Sequence, residues 1–165
     1  MKAAVDASPL IFLARIGALN LLAQYEEVVL PPEVLEEIER GPDRGHPEGL
    51  QVRRLVEQGT LRVRKAGRVR EEWNLDRGEA AVLALALRIH ADEVVIDDRA
   101  AINVAKYLGL RPVSVPFLLL RERRSGRTGQ REFEALIRRL LSEGYYLSSD
   151  LHQRLVDAGK AGRDG

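Results

Sequence analysis

The sequence predicts one α/β domain, a central parallel sheet of four to five strands covered by helices on both faces. Three observations carry that expectation. Short apolar runs alternate with segments of helical spacing along most of the chain. The run Val94-Val95-Ile96 is unbroken rather than alternating, the pattern of a strand buried on both faces. And 165 residues, 45% of them hydrophobic, supply one sizeable core, with no repeat, low-complexity tract or linker to divide it.

Residues 3–6 form a first apolar run that ends on Asp6. Ser8-Pro9 then reads as an N-cap followed by proline in the first helical position, opening a helix that stops near Gly17. Residues 18–25 suit a second short helix and 27–30 a strand. Pro31-Pro32 launches a helix over 33–40, with Gly41-Pro42 as its stop and a loop over 43–47. Helical spacing returns over 49–58, and 60–64 alternates with Leu61 and Val63 on one face, a half-buried strand. Asp76 caps a strongly apolar helix over 77–90, and 93–97 is the buried strand running into Asp97-Asp98. Residues 100–108 form a helix ended by Gly109, 112–115 a strand, and 117–124, 130–142 and 150–158 further helices. Residues 74–78 and 125–129 read as mobile loops.

Composition closes off several chemistries. Without cysteine there is no disulfide, thiolate zinc site, iron–sulfur cluster or cysteine nucleophile, and a reducing compartment is allowed. The three histidines, His46, His90 and His152, lack ligand spacing. Phosphate-binding, dinucleotide-binding and serine-hydrolase fingerprints are absent. The N-terminus reaches a carboxylate too early for a signal peptide, and no apolar run approaches the roughly 20 residues that span a bilayer, so a cytoplasmic protein without membrane contact is expected. Net charge is +1, which excludes a uniformly basic nucleic-acid binder but not a local patch. Of the 26 basic residues 22 are arginine, a bias that suits phosphate recognition and equally an arginine-favouring genome. Two basic runs, over 62–70 and 121–131, serve as phosphate contacts or as solvated faces. Phe, Trp and Tyr make up only 5% of the chain, so no base-stacking platform is expected.

The carboxylates are the remaining chemistry. Ligands of a doubly wound sheet bind outside the carboxyl ends of its strands, where Asp6, Asp97 and Asp98 fall. Glu36, Glu37 and Glu79 lie on helices that start from that edge. Clustered acids repel unless a cation sits among them, and all-oxygen ligands suit Mg²⁺ or Mn²⁺. Each acid also has a purely structural role open to it: an Asx turn for Asp6, solvation for Glu36 and Glu37, a capping box with Asp76 for Glu79, and a helix cap for Asp98. Asp97 is different, because a carboxylate that ends a buried strand needs a partner.

Four segments in order resemble the PIN-domain family, and more narrowly its VapC-like branch. They are Val5-Asp6-Ala7-Ser8-Pro9-Leu10-Ile11, the run from Leu30 to Ile38, Leu75-Asp76-Arg77-Gly78-Glu79-Ala80 with its GE-A motif, and Val95-Ile96-Asp97-Asp98-Arg99 with its IDD motif. Two later pieces, Leu108-Gly109-Leu110 and the stretch from Gly144 to Leu151, extend the likeness. Ser114-Val115-Pro116 stands where the branch usually has a Gly-Thr pair, and Ile102 where it often has an arginine.

The resemblance implies a Mg²⁺- or Mn²⁺-dependent ribonuclease, often the toxin of a toxin–antitoxin pair, acting as a homodimer. Its catalytic, metal-binding acids would be Asp6, Glu37, Glu79 and Asp97, with Asp98 an additional or alternative ligand. Ser8, Arg99, Arg121 and Arg124 would stand on the substrate side. Residues 1–158 are expected to form the PIN-like nuclease domain and 159–165 a flexible tail. The alternatives are a catalytically silent PIN-like module that binds a partner protein or itself, and a receiver-like phosphoacceptor. The second lacks both its acid pair after the first strand and its late lysine.

Overall fold

Residues 3–5, 28–30 and 94–96 are each buried without interruption. Successive side chains on a strand point to opposite faces, so unbroken burial means that both faces of the sheet are covered. The computed structural model, which describes residues 1–40 and 47–161, joins five strands in one sheet. They are β1 (Lys2–Val5), β2 (Glu27–Leu30), β3 (Leu61–Val63), β4 (Glu93–Val95) and β5 (Pro112–Val113). Their order is β3-β2-β1-β4-β5 and every pairing is parallel, as the alternation of strands and helices predicts.

Among the described residues eight helices surround the sheet: α1 (Ala7–Arg15), α2 (Pro32–Arg40), α3 (Pro47–Glu57), α4 (Arg77–Ile89), α5 (Arg99–Tyr107), α6 (Val115–Arg124), α7 (Gln130–Ser142) and α8 (Ser149–Lys160). Short 3₁₀ helices occupy Leu19–Gln24 and Glu71–Trp73. In α4, residues 80–86 are all buried. Four of those seven are alanine, whose small side chains let the helix lie close on β1 and β4. Among the described residues no helix is long and apolar enough to cross a membrane.

Four departures from the sequence pattern bear on the packing. First, α1 begins at Ala7 with Asp6 in the cap position, so Ser8 and Pro9 are its second and third residues. Second, Val63 is 37% exposed beside a buried Leu61, because β3 is an edge strand with little packed outside it. Third, β5 stops at Val113, and Val115 already belongs to α6. Pro116 in the first helical turn suits a helix start there, while Ser114 holds the cap position without a side-chain cap bond. Fourth, α8 continues to Lys160, and Gly159 lies against Phe133, where a Cβ would come within 2.6 Å of the ring. The expected stop at Gly41-Pro42 and most of the loop after it lie outside the described residues.

Candidate active site

From β1 the chain moves to β2 on one side of the sheet, and from β4 to β5 on the other. The carboxyl ends of β1 and β4 therefore flank the point where strand order reverses, the usual ligand crevice of an open parallel sheet. Val5 pairs with Val95, and the Asp6 N–H donates to the Val95 carbonyl at 3.0 Å, which places Asp6 and Asp97 together at that crevice. Asp6 heads α1 without using its side chain as a cap, so the helix makes no demand on the carboxylate.

Two helices bring further acids to the same place. α2 packs against α4, and Glu37 reaches the first turn of α4, where a Cβ on Gly78 would lie 2.6 Å from Glu37 Oε2. Its neighbour Glu36 pairs instead with Arg77 at 3.2 Å and Arg40 at 3.8 Å, which settles which of the two acids faces the crevice. Asp76 and Glu79 form the capping box that the sequence predicts: Asp76 Oδ1 accepts from the Glu79 N–H at 2.8 Å, and Glu79 Oε2 accepts from the Asp76 N–H at 3.3 Å. Asp98 likewise caps α5, accepting from the Ala101 N–H at 2.9 Å.

All of these carboxylates, Asp6, Glu37, Asp76, Glu79, Asp97 and Asp98, line one pocket of about 410 Å³, together with Ser8 and Phe12 of α1 and with Gly144, Tyr145 and Tyr146 of the α7–α8 connection. Glu79 and Asp98 are thus both caps and pocket walls. Asp76, which the sequence presents only as a cap, belongs to the same wall.

The electrostatics follow from crowding acids in a half-dry crevice. Burial first, then the charges of Glu37, Glu79 and Asp76, push the Asp6 carboxyl up to about 7 against a backbone hydrogen bond from Ala7. Burial, Asp76 and Asp98 push Glu79 up to about 7 as well. Glu37 is raised by burial and by Asp76. Asp97 is raised by burial, and hydrogen bonds from Tyr145 and Val115 oppose the shift. Both of those bonds, from the Tyr145 hydroxyl at 2.6 Å and the Val115 N–H at 3.1 Å, go to Asp97 Oδ1. Its other oxygen, Oδ2, is buried and has no hydrogen-bond partner.

The donor set is all oxygen, chemistry that suits Mg²⁺ or Mn²⁺, and the unpartnered Asp97 Oδ2 is an atom that a cation would satisfy. Among the described residues no three of these acids are drawn together tightly enough to hold an ion as they stand.

The arginines assigned to the substrate side lie elsewhere. Arg121 sits at the opposite edge of the sheet, bonded to both carboxylate oxygens of the buried Glu93 at 2.8 and 2.9 Å, at the first residue of β4. Its guanidinium also lies over the Phe117 ring, 5.2 Å from the centroid. Arg99 opens α5 and Arg124 closes α6; both are exposed, and neither lines the pocket. Ser8 does line it. The pocket residues that sequence reasoning missed are the aromatic ones. Phe12 and Tyr145 meet edge to face with centroids 5.1 Å apart, and Gly144-Tyr145-Tyr146 carried a signal only as part of the late motif.

Residues 2–160 match the model of a family described as DUF3368, PIN domain. The chain belongs to the PIN-domain family. None of the curated proteins matches it. Among solved structures, a domain of a functionally unknown protein from Methanocaldococcus jannaschii is 20% identical, covers 68% of this PIN domain and 89% of its own chain, and superposes with a TM-score of 0.48. A PilT N-terminus domain protein from Sulfolobus solfataricus is 17% identical, covers 90% and 100% of the two chains, and superposes with a TM-score of 0.43.

Proposed function

We propose that this PIN domain is a metal-dependent endoribonuclease that hydrolyses RNA phosphodiester bonds. One observation carries the reading: four acids from four separate elements, Asp6, Glu37, Glu79 and Asp97, line one pocket at the switch point, and a buried oxygen of Asp97 has no partner. These four would hold Mg²⁺ or Mn²⁺, with Asp98 beside them. A divalent ion bound there supplies charge relief to the phosphoryl oxygens and acidifies a water. Residues of the chain do the rest. Tyr145 and Val115 fix the Asp97 carboxylate through Oδ1, and the Ser8 hydroxyl stands beside the acids as a polar contact for the substrate.

The motifs of the chain favour the VapC-like branch, and with it a toxin that acts as a homodimer and is held by an antitoxin protein. The departure at Ser114-Val115-Pro116 is compatible with this, because the segment meets the site through the Val115 N–H, which any residue but proline offers.

The test is cleavage of a labelled single-stranded RNA with Mn²⁺, Mg²⁺ or EDTA, beside Asp97→Asn. Cleavage that needs metal and is lost in the variant supports the reading; cleavage that survives Asp97→Asn and Asp6→Asn sinks it. A second reading, a silent binding module, draws on Glu79, which the capping box accounts for without any metal. It predicts no metal binding by calorimetry together with tight binding to a partner protein.

A further inference from the structure

The pocket has an electrostatic problem that its acids cannot solve. Of the described residues that line it, six are Asp or Glu and none is Lys or Arg. A cation among the acids would meet one phosphate, but nothing lining the pocket attracts the neighbouring phosphates of a strand. At the wall itself, the contact on offer to a strand is uncharged.

Tyr146 is that contact. It lines the pocket, yet 85% of its surface is exposed, an unusual position for a large aromatic ring with no packing task. The chain just before it is held firmly. The Gly144 and Tyr145 N–H groups donate to the carbonyls of Leu141 and Leu140, each at 3.1 Å. Gly144 takes φ +90°, a conformation that favours glycine. Tyr145 is pinned to Asp97 by its hydroxyl and to Phe12 by its ring. Tyr146 is therefore an exposed aromatic face on an anchored loop, beside the acids.

We infer that Tyr146 is a nucleobase subsite: it stacks an unpaired base of single-stranded RNA next to the phosphate presented to the acid pocket. The inference rests on the ribonuclease reading and adds to it a residue that holds the strand. Every base has a π face, so stacking secures the strand without demanding a sequence and without positive charge. Bases of a duplex are already stacked on one another and paired, and must be splayed out before they meet the ring.

The experiment uses Asp6→Asn as a background that leaves RNA intact, with an unpaired oligoribonucleotide in Mg²⁺. Tyr146→Ala should weaken binding about five- to a hundredfold, the range of one lost stacking contact, while Tyr146→Phe keeps it. Tyr146→Trp adds a reporter, since the chain's own tryptophan, Trp73, is buried. Its emission should be quenched by the unpaired strand, and not by the same strand annealed to its complement or by an abasic ribose–phosphate strand. If wild type cleaves RNA and Tyr146→Ala binds it undiminished, the subsite is overturned and the nuclease reading stands. If wild type neither binds nor cleaves RNA, the nuclease reading falls and takes the subsite with it. If Tyr146→Ala keeps its RNA affinity but changes the oligomeric mass, the ring belongs to a protein interface and the subsite is overturned.

Discussion

The hydroxyl of Tyr145 donates to Asp97 Oδ1 at 2.6 Å, joining the α7–α8 connection to the end of β4 across 48 residues of sequence. Because the Val115 N–H donates to the same oxygen, the carboxylate is held by one side and its Oδ2 is left over. Tyr145→Phe removes the hydroxyl and keeps the ring that meets Phe12. The expected outcome is an unchanged fold with Mn²⁺ affinity lowered about ten- to hundredfold, as for other residues that orient a ligand. Calorimetric titration with thermal melting checks it, and equal affinity at equal stability would leave Tyr145 a packing residue.

The raised carboxyls set a pH dependence whose sign is fixed. Asp6 and Glu79 lie at about 7 in the folded chain, well above their ordinary carboxylate range in the unfolded one. Between about pH 4 and pH 7 the folded state thus binds more protons, so stability of the metal-free protein falls as pH rises through that window. Saturating Mg²⁺ should oppose the fall, since an ion competes with those protons and its stabilising effect grows with pH. Melting temperatures at pH 5.5 and pH 8, with EDTA or with Mg²⁺, test both statements. A metal-free melting temperature that does not fall with pH contradicts the first. For Asp6→Asn the metal-free slope should be visibly shallower.

The strands and the acids at their ends were legible because each obeys a local rule. The unbroken run Val94-Val95-Ile96 announces double-sided burial, and a carboxylate straight after it marks the sheet edge. The Asp76–Glu79 capping box is written in four consecutive residues and forms as read. The aromatic wall was not legible, since Phe12 and Tyr145 meet only when α1 and the α7–α8 connection are folded together. Nor could spacing alone reveal that Glu36 is drawn off by Arg77, or that Arg121 in its basic run answers a buried acid near the far end of the sheet.

Two roles compete for Arg121, substrate contact and partner to a buried acid. Glu93 is 1% exposed and accepts from Arg121 and, at 2.5 Å, from the Tyr25 hydroxyl. Arg121→Ala strips this buried acid of its two short guanidinium bonds and leaves it, as cation, only the exposed Arg111, 3.5 Å from Oε1, a defect that costs up to ~3–5 kcal/mol. The expected outcome is a large loss of stability by denaturant unfolding, with metal affinity of the folded fraction unchanged. Arg124→Ala, an exposed residue in the last turn of the same helix, should stay within about 0.5 kcal/mol of wild type. Equal stability for the two variants, with RNA binding lost only in Arg121→Ala, would return Arg121 to the substrate side.

Gly78 offers the sharpest test of the acid cluster, because a single methyl group addresses Glu37 without touching it chemically. The glycine lies in the first turn of α4, where alanine is the better helix former by roughly 0.5–1 kcal/mol. A Cβ there meets Glu37 Oε2 at 2.6 Å, and that oxygen is the free end of a flexible side chain that can swing away. Gly78→Ala should therefore fold at least as well as wild type and yet bind Mn²⁺ as weakly as Glu37→Gln. Combining the two substitutions should cost no more affinity than either alone, since both remove the same ligand. If instead their losses add, Gly78 acts on the site by some route other than Glu37. If Gly78→Ala binds metal like wild type, Glu37 is no ligand and the acid set shrinks to Asp6, Glu79 and Asp97.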